Sequence, residues 1–141
     1  MDQVQLAYRV GVWFNRVLFS YYRGTFKGDF GAVQVQALSD LYILGSVRMQ
    51  EMADRLDVPK QHASKILARL GETGLVESRP DPDDGRSRIF SLTPEGKALV
   101  EEHIEKSNSR FREMLATLSE EDRRELGGSM EKLLEIFGRL Q

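Results

Sequence analysis

The stretch from Met49 to Thr93 constrains the fold of this chain more than any other. Its pattern predicts a short helix, a tight turn, a second helix and then two strands joined by a polar loop. The turn lies at Asp57-Val58-Pro59, because proline disfavours helical backbone at the preceding residue and suits the first turn of a following helix. Two short helices joined in this way predict a helix-turn-helix.

The second helix of this stretch has one apolar face. Ala63, Ile66, Leu67 and Leu70 recur at helical spacing and predict a buried stripe. The side chains left outside the stripe are polar or cationic: Gln61, His62, Lys65 and Arg69. A short helix with such an outer face suits a groove in DNA, so this helix is the candidate functional element.

A two-stranded hairpin follows, over Val76–Arg79 and Arg88–Leu92. In the second strand, Phe90 and Leu92 are predicted to point one way, opposite to Ile89 and Ser91. The six residues from Pro80 to Gly85 are all turn formers and predict a loop that projects into solvent. A hairpin in this place beside a helix-turn-helix is a wing.

Four further helices are predicted around this unit. They span residues 3–23, Val33–Leu44, a long helix from the Thr93-Pro94-Glu95 start to about Ala116, and a last helix capped by Ser119. The second of them should turn Val33, Ala37, Leu41 and Leu44 inward, and Gly45 should end it. The apolar stripes of the others comprise Leu6, Val10, Trp13, Phe14, Val17 and Tyr21, then Val100, Ile104, Phe111, Leu115 and Leu118, then Leu126, Met130, Leu133, Phe137 and Leu140.

These terminal helices carry more apolar surface than one small winged unit can cover. The simplest arrangement is a two-fold dimer in which both chain ends pack together, and the alternative is a bundle within one chain. The mainly α fold is thus a winged helix-turn-helix with a small β-hairpin wing and with N- and C-terminal dimerisation helices. In this single domain, residues 32–96 form the lobe that carries the motif, and residues 1–28 and 97–141 form the dimerisation helices.

The amino-acid composition excludes some classes of function. The 141 residues carry a net charge of −2 and no cysteine, which excludes disulfides and thiol chemistry. The overall charge does not favour nucleic-acid binding, since the stretch from Lys60 to Arg88 contains six cationic and five acidic residues. Arg9 and Arg16 interrupt the apolar N-terminus, which therefore matches neither a membrane span nor a signal peptide. A cytoplasmic protein without membrane contact is expected.

The order of these elements resembles the MarR family of bacterial transcriptional regulators over nearly the whole chain. The wing carries the most specific match: Asp84-Gly85-Arg86 and Leu92-Thr93-Pro94-Glu95-Gly96 resemble the family's Asp-x-Arg followed by Leu-Thr-x-x-Gly. Glu51-Met52-Ala53 and Gly74-Leu75-Val76 resemble two further family motifs. Gly85 stands where many members carry another arginine. The resemblance implies a homodimer on a pseudo-palindromic operator, usually a repressor that a small aromatic or anionic effector releases.

Nine residues are the candidates for contact with double-stranded DNA. Arg86 is expected to enter the minor groove, held by a bidentate pair with Asp84, although a solvated turn salt bridge is the alternative. Gln61 can read adenine, while Lys60 and Lys65 can contact guanine or phosphate. The remaining candidates are His62, Ser64, Arg69 and Arg88. Arg69 could instead pair with Glu72 within the helix. Arg88 is expected to reach a phosphate or a neighbouring acid.

An effector pocket is implied by the resemblance alone, between the N-terminal helix, the second helix and the start of the long helix. Trp13, Phe14, Arg16 and Tyr22 would line it, or these aromatics would form dimer core instead. His62 and His103 lie far apart without cysteines, so neither a metal nor another cofactor is expected. No nucleophile–base motif or nucleotide-binding loop suggests an enzyme. The alternative functions are a protein-interaction module or a small-molecule-binding protein, in either case without DNA binding.

Overall fold

The computed structural model describes residues 1–22, 28 and 30–140, with side chains at 1–17, 28 and 30–140. The described part contains six helices and three strands, and the predicted helices are confirmed. In chain order the elements are α1 (Gln3–Tyr22), α2 (Ala32–Leu44), β1 (Ser46–Arg48), α3 (Met49–Leu56), α4 (Lys60–Glu72), β2 (Val76–Pro80), β3 (Arg88–Leu92), α5 (Pro94–Ala116) and α6 (Glu120–Gly138).

The chain divides into two compact units, Met1–Lys106 and Ser107–Gln141. The first contains the helix-turn-helix, the sheet and the first half of α5. The second contains the end of α5 and all of α6, which begins at the predicted cap: the Ser119 hydroxyl accepts a hydrogen bond from the Asp122 amide at 3.0 Å.

The sheet has three antiparallel strands in the order β1-β3-β2, one more than the sequence predicted. The additional strand, β1, has only three residues, which is too short for an alternating pattern to stand out. Val47 of β1 lies opposite Phe90 of β3, and Phe90 lies opposite Ser78 of β2. Val47 is buried, so β1 closes the sheet against the core.

The core of the first unit lies where α4 meets α2, α3 and the sheet. The predicted α4 stripe is confirmed, because Ala63, Ile66, Leu67 and Leu70 are all buried. Phe90 and Leu92 pack against the same core from β3, as their predicted direction requires. The remaining buried apolar side chains come from α2, α3 and the adjoining strands and helix: Ala37, Leu38, Leu41, Val47, Met52, Ala53, Val76 and Val100.

The buried face of α2 differs from the predicted one. Ala37 and Leu41 are buried as expected, but Val33 and Leu44 at the two ends of the helix are more than one-third exposed. Leu38 and Asp40 are buried in addition, so the prediction for the two ends of α2 is wrong. The face could not be found from hydrophobicity because it includes a carboxylate: Asp40 accepts hydrogen bonds from Gln36 at 3.1 Å and Arg55 at 3.3 Å.

The end of the hairpin is locked to the start of α5. The Thr93 hydroxyl donates to the Gly74 carbonyl oxygen at 2.6 Å and accepts from the Gly96 amide at 3.0 Å. Gly74 has a left-handed backbone with φ of 77°, which suits glycine. A Cβ at Gly96 would lie 2.1 Å from the Leu75 carbonyl oxygen, so only glycine fits there.

The apolar surface of the terminal helices is largely exposed in the single chain. On α1 this holds for Leu6, Val10, Trp13 and Phe14 of the predicted stripe. On α6 none of the residues is buried. Leu133 and Phe137 of the predicted seam are exposed, as is Leu140, which follows the end of the helix. The side chain of Tyr21 lies outside the described residues.

Candidate nucleic-acid interface

The outer face of α4 is a continuous polar surface. Its candidate side chains are all exposed: Lys60, Gln61, His62, Ser64, Lys65 and Arg69. Gln61, Ser64 and Lys65, followed by Ala68 and Arg69, recur at helical spacing opposite the buried stripe. Within the described part of the chain, none of the cations on this face forms an ion pair, and Arg69 does not pair with Glu72.

A rigid turn sets the angle between α3 and α4. Asp57 ends α3 in the left-handed conformation, with φ of 52°. The Val58 amide donates to the Ala53 carbonyl oxygen at 3.1 Å, and Pro59 precedes the first helical residue of α4 as its cap. Ala53 and Ala63 are both buried, so packing also fixes the two helices against each other.

The wing tip presents Arg86 to solvent, but without the predicted partner. The Asp84 carboxylate accepts a hydrogen bond from the backbone amide of Arg86 at 3.0 Å, and the guanidinium makes no hydrogen bond or ion pair within the described residues. The expected bidentate pair is therefore not formed. The reason is local, since an aspartate two residues before an amide readily closes an Asx turn. Asp84 shapes the tip and leaves the Arg86 guanidinium available.

Arg88 is engaged at the loop end of the hairpin, opposite Pro80. Its guanidinium donates to the Ser78 hydroxyl at 3.0 Å and to the Ser78 carbonyl oxygen at 3.2 Å. The expectation that Arg88 contacts a neighbouring acid is not met in this structure. These bonds brace β2 against β3, and part of the guanidinium remains exposed.

The acids of the wing loop change the local charge balance. Asp81 is buried and forms an ion pair with Arg48, a residue that precedes the cationic stretch from Lys60 to Arg88. Asp83 lies 3.7 Å from the same guanidinium. Two of the five acids in that stretch thus face Arg48, so the surface of α4 and the wing is more cationic than the sequence indicated.

Two cations of this region were not assigned from the sequence. Arg48 belongs to the unpredicted strand β1, so no pattern indicated its proximity to the wing. Arg79 lies on β2 opposite Ile89, and Ile89 in turn lies opposite Arg48. Arg79 is exposed and has no ion pair among the described residues. The alternation of inward and outward side chains along the wing strands could have predicted that Arg79 points outward.

Comparison with known proteins agrees with this geometry. Residues 30–96, from the start of α2 to the first turn of α5, match the family described as winged helix DNA-binding domain. The multiple antibiotic resistance protein MarR of Salmonella typhimurium is 27% identical over 131 residues, which cover 92% of this chain and 89% of that protein. The chain is thus similar to MarR over nearly its whole length.

A second relative matches over a shorter length. The HTH-type transcriptional regulator YdgJ of Bacillus subtilis is 26% identical over 91 residues, or 64% of this chain. The chain spans 56% of the length of YdgJ. The similarity to MarR and YdgJ includes the helix-turn-helix and the wing, where the candidate DNA-binding residues lie.

The fold of this chain is also that of a solved structure. NadR, in a complex with 4-hydroxyphenylacetate, matches with a TM-score of 0.71 and 22% sequence identity, over 96% of this chain and 95% of that one. This likeness supports the winged helix-turn-helix with flanking helices as the architecture of the whole chain.

The candidate effector residues lie on α1. Trp13, Phe14 and Arg16 are exposed there, and the side chain of Tyr22 lies outside the described residues. An open groove runs along the first turns of the same helix, lined by Met1, Val4, Gln5, Tyr8 and Arg9. None of the candidate effector residues lines that groove.

His103 is buried in α5, and burial lowers the pKa of its imidazole. Across the described residues, no group of three or more His, Cys, Asp or Glu side chains could hold a metal ion. Of the helices in that same part of the chain, none is long and apolar enough to cross a membrane.

Proposed function

We propose that this protein is a transcriptional regulator that binds double-stranded DNA sequence-specifically through α4 and the wing. One observation carries the proposal. On a winged helix DNA-binding domain, Lys60, Lys65 and Arg86 are all exposed and form no ion pair within the described residues, while neighbouring acids of the wing loop are held by Arg48. The cationic groups are therefore available for phosphates and base edges.

The outer face of α4 would lie in the major groove. Gln61 has the amide geometry that reads adenine through two hydrogen bonds, and Ser64 and Lys65 lie one turn further along the same face. Lys60 and Arg69, near the two ends of the helix, suit phosphate contacts, with His62 as a further polar contact.

The wing would follow the phosphate backbone into the adjacent minor groove. Arg86 at the tip is the residue we assign to the groove, where the negative potential favours a guanidinium. Asp84 supports the tip through its bond to the Arg86 amide, and the exposed part of Arg88 suits a phosphate contact.

We further propose a homodimer that places two α4 helices on a pseudo-palindromic operator. The apolar side chains exposed on α1, and separately those exposed on α6, support this, because a single soluble chain rarely leaves so many large apolar groups in water. Size-exclusion chromatography with light scattering tests this assembly. A mass of two chains at micromolar concentration supports the dimer, and a mass of one chain contradicts it.

The regulator would act as a repressor that a small aromatic or anionic molecule releases. NadR, which shares the fold, is seen with 4-hydroxyphenylacetate. In this chain, Trp13 and Phe14 offer aromatic surfaces and Arg16 a cation for such a ligand. We propose a cytoplasmic location and no catalytic activity, as expected for a protein that acts on DNA by binding.

Selection from a pool of random duplexes tests the proposed function directly. The wild-type protein should enrich an inverted repeat whose half-sites lie about one helical turn apart. A variant with Gln61, Lys65 and Arg86 all changed to alanine is the matched control and should enrich nothing. Failure of the wild-type protein to enrich any repeat would instead favour a protein-interaction or small-molecule-binding module.

A further inference from the structure

The wing loop contains a buried carboxylate, which is unusual for a loop made of turn formers. Asp81 is only 3% exposed, whereas its neighbours Pro82, Asp83 and Asp84 are exposed. An aspartate is seldom buried without a partner, because loss of hydration disfavours its charge. The position of Asp81 therefore depends on the groups that satisfy its two oxygens.

Both oxygens of Asp81 have partners. One accepts a hydrogen bond from Nε of Arg48, and the other accepts the backbone amide of Asp83 at 2.9 Å. The Asp81 amide also donates to the Ser87 carbonyl oxygen at 3.0 Å, which continues the β2–β3 ladder into the loop. The side chain is thus the point at which the loop is fixed to another element.

That other element is the start of the helix-turn-helix. Arg48 is the last residue of β1 and occupies the position just before α3, which begins at Met49. The pair joins residues 33 positions apart in the chain, and it crosses from the edge strand β1 to the loop beyond the opposite edge strand β2. Apart from a longer contact between the same guanidinium and Asp83 at 3.7 Å, no other ion pair of the described residues links the wing loop to this segment.

We propose that the Arg48–Asp81 pair is a positioning device that sets the wing tip relative to α4. Two DNA contacts made by one rigid body reinforce each other, whereas a wing that moves freely loses ordering entropy on binding. The pair would therefore let Arg86 and the α4 face engage one duplex together. The effect of this pair on DNA binding rests on the proposed function, whereas its effect on the position of the wing tip does not.

The protonation states of the two groups agree with such a role. The hydrogen bond from Arg48 lowers the pKa of the Asp81 carboxyl, with a further contribution from the Asp83 amide. The same hydrogen bond to Asp81 raises the pKa of Arg48. Both groups are therefore charged at neutral pH.

The competing role for Arg48 is a direct phosphate contact. Its side chain is half-exposed, but Nε is bonded to Asp81 and Nη2 faces Asp83 at 3.7 Å. A guanidinium committed to two carboxylates is partly neutralised, which favours positioning over phosphate binding. The two roles predict different results for the same variants.

The first experiment uses the free protein and measures amide hydrogen exchange. Arg48→Met and Asp81→Asn should each speed exchange at Asp83 and Ser87 about tenfold or more, while Leu67 in α4 keeps its protection. Arg48→Lys should restore part of the protection, since its ammonium can still pair with Asp81. Asp83→Asn is the control and should change little. Unchanged exchange at Asp83 and Ser87 in both variants would overturn the proposal.

The second experiment uses a duplex enriched by the wild-type protein. Arg48→Met and Asp81→Asn should weaken binding to a similar extent, about tenfold, and Arg86→Ala should cost much less in either background than alone. Additive losses, with Arg48→Met alone lowering the salt dependence by about 0.9, would overturn positioning in favour of a phosphate contact. If the wild-type protein enriches no duplex, the proposed function fails while the exchange experiment still decides the positioning.

Discussion

At the residue scale, Arg48 of β1 and the wing residues Arg86 and Arg88 differ in what they contact. Arg48 is held by two carboxylates and Arg88 by Ser78, whereas Arg86 has no partner among the described residues. A guanidinium without a protein partner gives up only water when it binds a phosphate or enters a groove. Of these three arginines, Arg86 is accordingly the one from which DNA binding should gain most.

Changing Arg86 to alanine should weaken binding to an enriched duplex by about tenfold or more, and make the salt slope less steep by about 0.9 for each phosphate that the arginine neutralises. The side chain supports no other residue, so thermal unfolding should be unchanged. Fluorescence anisotropy at several salt concentrations measures the affinity and the slope. Arg124→Ala, which removes an exposed cation on α6, is the matched control. Equal affinity of wild type and Arg86→Ala would remove the wing tip from the interface.

Changing Gly85 to arginine should strengthen binding. Gly85 is exposed, its backbone is not left-handed, and a Cβ there would meet no atom within 4 Å. An arginine therefore fits without strain and adds a second cation at the tip, where many MarR-family members are expected to carry one. The affinity for the enriched duplex should rise several-fold, with a salt slope steeper by about 0.9. Gly85→Gln separates charge from side-chain size, and an equal gain from both variants would refute the electrostatic explanation.

The Asp81 carboxylate should make the stability of the wing depend on acid. Its pKa is lowered by Arg48, so the unfolded chain binds the proton more tightly than the folded one. The contribution is complete above the ordinary aspartate pKa of about 3.9 and is lost as the pH falls through the lowered value. Thermal unfolding at pH 7 and pH 3 should show the advantage of wild type over Asp81→Asn shrinking at pH 3. A constant difference would contradict this linkage.

At the element scale, the start of α5 is fitted to the end of α4 through two glycines. Gly74 supplies a left-handed turn, and Gly96 allows the Leu75 backbone to approach. The Thr93 hydroxyl hydrogen-bonds to Gly74 and to Gly96, so the start of β2 and the end of β3 are held together where the hairpin joins α4 and α5. The orientation of the wing strands depends on this close packing.

Gly96→Ala should therefore destabilise the protein by about 1–3 kcal/mol, because the added Cβ would force the Leu75 backbone to move. Gly128→Ala is the matched control, since its Cβ would meet nothing within 4 Å in the interior of α6. That change should stabilise the helix by up to about 1 kcal/mol. Chemical denaturation measures both, and an unaffected Gly96→Ala variant would contradict the packing described for this junction.

The helices and strands that could be predicted from the sequence are those whose hydrophobic pattern runs over several consecutive residues. The α4 stripe and the strand β3 were found because helical spacing and alternation persist over several residues. The strand β1 has three residues and no such pattern. The Arg48–Asp81 pair joins positions far apart in the chain. The buried face of α2 was misplaced because Asp40, which accepts hydrogen bonds from Gln36 and Arg55 through one oxygen, belongs to the core.

The candidate site was predicted in outline rather than in its contacts. Exposure of Gln61, Lys65 and Arg86 followed from the phase of α4 and from the turn formers of the wing. The partner of Asp84 did not, because a carboxylate near both a guanidinium and a backbone amide can bond either, and local turn geometry decides. Which base each residue would contact depends on the DNA, which no intrachain pattern encodes.

At the scale of the whole molecule, the proposed dimer would convert one short groove-reading helix into two at a fixed spacing. A single helix and wing contact few base pairs, and specific affinity rises steeply when two half-sites are bound together. The large apolar side chains exposed on α1 and on α6 are the surfaces we assign to that assembly.

The affinity of the wild-type protein for its enriched inverted repeat, compared with a scrambled duplex of the same length and composition, tests the central claim most directly. We expect a preference of about a thousandfold or more at physiological salt, which is typical of specific DNA binding. Equal affinities for the two duplexes would contradict sequence-specific recognition by α4 and the wing.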